Sequence, residues 1–138
     1  MASPKRREHI QRVGALVGLW ATARGSTAEE AGRWQRAVLL HDALKDADEE
    51  TLARYAPQGD WPRQLWHGPA AAAAGAAHGE LDPGVLDAVR YHSVGFAGWD
   101  DVGKVLYLAD YLEPGRSHDS ERRAGQAARV PRELEAVL

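Results

Sequence analysis

The chain has 138 residues, enough for one domain that buries roughly two thirds of its unfolded surface. It carries no cysteine, which excludes disulfides, thiolate zinc sites and cysteine nucleophiles, so any metal must be held by nitrogen and oxygen. The 17 basic and 20 acidic residues are mixed along the chain for a net charge of -3, which gives no basic field to recruit nucleic acid.

From Arg7 to Ala23, His9, Val13, Leu16, Val17 and Trp20 recur at helical spacing, which predicts a helix with an inward stripe and His9 near its start. "GSTAEEAG" begins a second helix, with Ser26 or Thr27 as cap and Glu29 and Glu30 in the first turn. Along it Trp34, Val38, His41, Asp42 and Lys45 share a face, so three polar groups point where a core stripe should point. A short helix over Thr51 to Tyr55 ends before "APQGDWP". In "WHGPAAAAAGAAHG", Pro69 occupies the first turn of an alanine-rich helix and His67 lies just before that turn. In "DPGVLDAVRYHSVG", Asp82 caps, Val85, Val89 and His92 align, and Gly95 closes the helix.

"GWDDVGKVLYLADYLEPGR" predicts a further helix with Val102, Leu106, Ala109, Asp110 and Glu113 on one side, stopped by Pro114 and Gly115. The remainder is polar with a weak helical period, and Pro131 is expected to start a last short helix. No segment alternates as a strand and no repeat appears, so the expected fold is all-α. The apolar runs "AAAAAGAA" and "KVLYLADYL" fall short of the roughly 18 to 20 residues that cross a bilayer, and the N-terminus does not resemble a signal peptide. The expected location is cytoplasmic, with neither membrane nor nucleic acid as partner.

The segment "LLHDALKD" poses the functional question, because burying even a neutral polar group unpaired costs about 2–7 kcal/mol and a carboxylate costs more. His9, His41, Asp42, His67, His92 and Asp110 all fall on inward faces. Six separate partners would be needed to satisfy them singly, whereas one ion satisfies several at once. Such ligands suit iron, manganese, zinc or nickel better than calcium or magnesium. A divalent ion lowers the pKa of bound water and polarises a phosphoryl oxygen, so the expected chemistry is hydrolysis of a phosphate ester or anhydride.

Arg6, Lys45 and Arg116 each stand beside a candidate ligand and would form a cationic rim for a polyphosphate. Tyr91, Trp66 and Tyr111 flank the same motifs and are read as core in preference to base-stacking groups. His78 and His118 are assigned to the surface. Exposed aromatics such as Trp99 offer a homodimer contact.

Together "REHIQRV", "LLHDALK", "LWHGP", "RYHSVG" and "YLADYLEPGR" resemble the HD-domain phosphohydrolase superfamily, and more closely its YqeK-type family of bacterial symmetrical diadenosine-tetraphosphate hydrolases. The resemblance covers residues 6 to 116 and implies a compact HD-domain helical bundle over residues 1–138, short at the C-terminus relative to the family. It implies an iron ion, with manganese or zinc as alternatives, held by His9, His41, Asp42 and Asp110. A nucleotide diphosphate would be contacted by Arg6, Lys45, His67, His92 and Arg116. His67 and His92 could equally complete a second metal site on the residues alone. The expected catalytic set is His41, Asp42, His67 and His92, with His67 or His92 as the acid, and diadenosine tetraphosphate is cut to two ADP. The alternatives are an HD phosphohydrolase acting on a nucleoside monophosphate or guanosine alarmone, and a sensor that holds metal and nucleotide without turnover. The cyclic-dinucleotide motif GYP is absent after the His-Asp pair.

Overall fold

Five helices begin where a short polar side chain takes up an otherwise unpaired backbone N–H. Ser3 accepts from the Arg6 N–H and starts α1 (Pro4–Ala23). Thr27 accepts from the Glu30 N–H and starts α2 (Ala28–His41), and Asp48 does the same for α3 (Glu49–Arg54). The helix α4 (His67–Ala77) lacks a side-chain cap. Asp82 caps α5 (Pro83–Arg90) and Asp100 caps α6 (Asp101–Leu112), and α7 (Ser120–Val137) completes the order. The computed structural model describes residues 3–45, 47–55, 62, 65–115 and 120–137, and among them there are seven α-helices and no strand.

The core lies between α1, α2, α5 and α6, with Val13, Val17, Trp20, Trp34, Val38, Val85, Val89, Val105 and Leu106 all buried. Each such aliphatic side chain contributes roughly 1.5–3 kcal/mol. Ala70, Ala71 and Ala72 are fully buried where α4 packs on α2 and α5, so the alanine run brings helix backbones close. Arg33 fastens three elements by reaching Glu30 on its own helix and the capping carboxylates Asp82 and Asp100 of α5 and α6.

Three elements differ from expectation, and one of them is α5, which ends at Arg90 and leaves His92 and Gly95 beyond it. The helix α2 stops at His41, with Asp42 already outside helical geometry (φ -113°, ψ 16°), so Lys45 does not continue its face and lies exposed in the following turn. The last helix is continuous from Ser120 and carries Pro131 in its interior. Proline removes the N–H that would reach the carbonyl four residues back. Here that carbonyl, Ala127 O, accepts instead from the Trp20 indole N–H at 3.0 Å.

Trp99, expected at the surface, is buried. Its indole N–H donates to Asp87 O at 3.0 Å, and Gly103 leaves the space its ring fills on α6. It therefore offers no homodimer contact. Of the aromatics read as core, Trp66 and Tyr91 are half-buried while Tyr111 is 48% exposed. Arg123 of α7, itself buried, stands over the Tyr111 ring in a cation–π contact.

Candidate metal centre

Six side chains from five helices meet at one end of this core. His9 comes from the first half of α1, His41 ends α2, and Asp42 follows it. His67 opens α4, His92 lies two residues beyond α5, and Asp110 sits in the last turn of α6. Ligand atoms of His9, His41, Asp42 and Asp110 all lie within 4.8 Å of one another, and so do those of Asp42, His67 and His92. Asp42 belongs to both groups. Its Oδ2 is 3.6 Å from His9 Nε2 and 3.5 Å from His41 Nε2, while its Oδ1 is 3.5 Å from His92 Nε2 and 3.8 Å from His67 Nε2.

Two of the histidines are oriented by the ends of their own helices. The last carbonyls of a helix have no partner within it. His41 Nδ1 lies 2.6 Å from Val38 O and His92 Nδ1 lies 2.7 Å from Val89 O, each three residues back. A carbonyl only accepts, so the ring proton is on Nδ1 and the Nε2 lone pair of the neutral ring faces inward. Burial pushes the His41 pKa down, which favours the neutral ring a metal requires. Its Nε2 is fully buried and has no hydrogen-bond partner. An orphaned imidazole lone pair among carboxylates is what a metal ligand looks like without its ion.

The carboxylates remain charged despite their surroundings. Burial alone would raise Asp42, yet the neighbouring His92, His41 and Arg6 hold it well below the usual carboxylate range. Arg6 Nη1 donates to Asp42 Oδ2 at 3.1 Å. Asp110 is likewise lowered against the effect of burial, chiefly by His9, whose Nε2 is 2.8 Å from Asp110 Oδ1. With Asp110 half-buried and Ser93 exposed, solvent reaches the centre from their side.

All six inward residues singled out in the sequence are therefore brought together, and Arg6 joins them. His78 is exposed as expected, and Arg116 and His118 lie outside the described residues. Three participants escaped the sequence reading. Ser93 Oγ is 3.3 Å from His67 Nε2. Gly68 lies against the end of α5, where a Cβ would stand 2.9 Å from Arg90 O and 3.1 Å from Val89 O. Glu113 is 1% exposed and bound by Arg12. Its signal was present, since it follows Asp110 by three residues on the side the sequence marks as inward and is as charged as the aspartate that was chosen.

The donor set fits a divalent ion, with imidazole and carboxylate ligands brought together from α1, the end of α2 and α6 and an arginine at the rim. The sequence profile of the HD domain matches residues 6–115, and the chain belongs to that family. Among relatives, it is 34% identical over 89 residues to the symmetrical bis(5'-nucleosyl)-tetraphosphatase of Bacillus subtilis, covering 59% of this chain and 48% of the relative. The Staphylococcus aureus protein of the same name is 30% identical over 122 residues, 82% of this chain and 61% of that one. The chain thus spans about half to three fifths of the length of these curated relatives. A solved structure from Clostridium acetobutylicum, described as a predicted HD superfamily hydrolase involved in NAD metabolism, superposes with a TM-score of 0.74 over 98% of this chain and 74% of its own, at 22% identity. That likeness speaks to the fold.

Proposed function

We propose that this chain is a metal-dependent phosphohydrolase that cleaves diadenosine tetraphosphate symmetrically to two ADP, with iron as the metal. The observation that carries the reading is the convergence of His9, His41, Asp42 and Asp110 on one point, with the His41 lone pair buried and unpartnered. The names of the relatives supply the substrate, a dinucleoside tetraphosphate. A bound divalent ion would make water nucleophilic near neutral pH and polarise a phosphoryl oxygen.

The chain's own residues then have distinct tasks. His9, His41, Asp42 and Asp110 would hold the ion. Arg6 neutralises Asp42 and presents a planar guanidinium suited to a phosphate oxygen. His67 Nε2 and His92 Nε2 lie 3.2 Å apart, and the Val89 carbonyl claims the Nδ1 proton of His92. His67 Nε2 is thus the donor of the pair, and His67 in its protonated form would be the acid for the departing phosphate oxygen, returning to the neutral ring as it gives up the proton. Cleavage breaks one central P–O bond, water supplies the new one, and both products leave as ADP.

The test loads the protein with ferrous iron anaerobically, supplies diadenosine tetraphosphate and resolves the products by ion-exchange chromatography. ADP alone is expected. AMP plus ATP would overturn the position of attack, and ADP binding without turnover would replace the enzyme reading with a nucleotide sensor.

A further inference from the structure

A histidine that ligates through Nε2 must keep its remaining proton on Nδ1, and that proton needs an acceptor. His41 and His92 find theirs in the carbonyls of Val38 and Val89 at the ends of α2 and α5. His9 has no such recourse, because it lies inside α1, where the carbonyls three and four residues back belong to the helix ladder. The group that faces its Nδ1 is Glu113 Oε2, at 3.7 Å.

Everything around Glu113 is arranged to hold it there. It is the residue after α6, extended (φ -58°, ψ 142°), and its carboxylate is buried under the end of the helix. Arg12, one turn beyond His9 on α1, donates from Nε to the same Oε2 at 2.5 Å. Gly115 keeps the place of that guanidinium clear, since a Cβ there would overlap Arg12 Nε. A carboxylate buried this completely beside a histidine is costly unless it is paired and in use.

We infer that Glu113 is the positioning residue for His9: held by Arg12, it accepts the Nδ1 proton when an ion displaces the Nε2 proton that otherwise faces Asp110 Oδ1, and so turns Nε2 toward the ion. This rests on the metal-centre reading above. It makes the "LEPG" segment after Asp110 part of the centre without making it a ligand, and assigns Arg12 a role although it touches none of the ligating atoms.

The experiment measures zinc affinity by competition with a chromogenic chelator, together with the His9 tautomer by long-range nitrogen–proton NMR of the zinc-loaded protein. Glu113→Gln, which keeps size and shape, is expected to weaken zinc binding by about 10–100-fold and to shift His9 away from the Nδ1-protonated form. Arg12→Gln, at a half-exposed position that tolerates change, is expected to do the same to a smaller degree, and it carries the test if Glu113→Gln does not fold. Unchanged affinity in both variants overturns the inference. So does weaker binding with the His9 tautomer intact, which would mark Glu113 as merely structural. Zinc uptake by the unaltered protein that His41→Ala leaves undiminished would instead overturn the metal-centre reading itself.

Discussion

His67 Nε2 lies 3.2 Å from His92 Nε2, and that gap holds one proton, not two. Since His92 is tied through Nδ1 to Val89 O, the two rings are not equivalent. With the proposed acid at His67, His67→Asn is expected to lower kcat by about 10²–10⁴-fold with little change in KM. His92→Asn is expected to lower turnover less. Steady-state kinetics on diadenosine tetraphosphate decides between them, and equal losses in the two variants would remove the distinction. Loss of a second ion per chain in His67→Asn would make His67 a ligand instead.

Asp42 is the only residue that belongs to both ligand groups among the described residues. Asp42→Asn keeps its volume and removes the charge that both groups face. Bound metal and hydrolysis are expected to fall together, turnover by at least about 10³-fold, since an ion's stabilisation of transition-state charge amounts to several kcal/mol. Metal analysis alongside activity provides the check. Full turnover in a metal-free Asp42→Asn protein would refute the mechanism.

Gly68 reads as an ordinary helix glycine until its neighbours are measured. A Cβ there meets Arg90 O at 2.9 Å, Val89 O at 3.1 Å and His92 Cε1 at 3.4 Å, two of them backbone atoms that cannot swing away. Gly68→Ala is expected to destabilise the fold by about 1–3 kcal/mol, the cost of overpacking, and to weaken activity further by displacing the carbonyl that orients His92. Urea unfolding and kinetics on the same protein separate the two effects. A variant as stable as the parent would show that α4 and α5 can part without strain.

The Asp82 carboxylate accepts from the Gly84 and Val85 N–H groups and from Arg33. Chiefly through the Arg33 hydrogen bond, it is held below its ordinary value of 3.8. A carboxyl lowered on folding stabilises the native state above the unfolded pKa, and that contribution is lost as pH falls from about 3.8 through the native value. Asp82→Ala removes cap and pair together and is expected to cost about 1–2 kcal/mol near pH 7. The gap from the parent should narrow below pH 3.8. A difference that is independent of pH in denaturant titrations would assign the effect to packing alone.

The inward polar residues were legible because helical period marks a face regardless of what fills it, so His9, His41, His92 and Asp110 stood out against valine and leucine. What period cannot reveal is where a helix stops. The same spacing that placed His41 correctly carried Lys45 along with it, although the helix ends between them. Pro131 misled for the opposite reason. Its local rule is sound, but a tryptophan over a hundred residues earlier supplies the missing donor. Glu113 and Gly68 act through contacts with other helices, and no window of sequence contains both partners.

The tie between His41, His92 and the carbonyls of Val38 and Val89 has a kinetic consequence. Terminal turns are the parts of a helix that fray most readily, opening at far lower free energy than the whole domain. Each such opening would release an imidazole from its fixed orientation, so ion escape need not await global unfolding. An ion held by His41 would in turn clamp the end of α2 shut. Amide exchange at the end of α2 should therefore slow on metal loading more than at the end of α5, while exchange deep in α1 and α6 stays as it was.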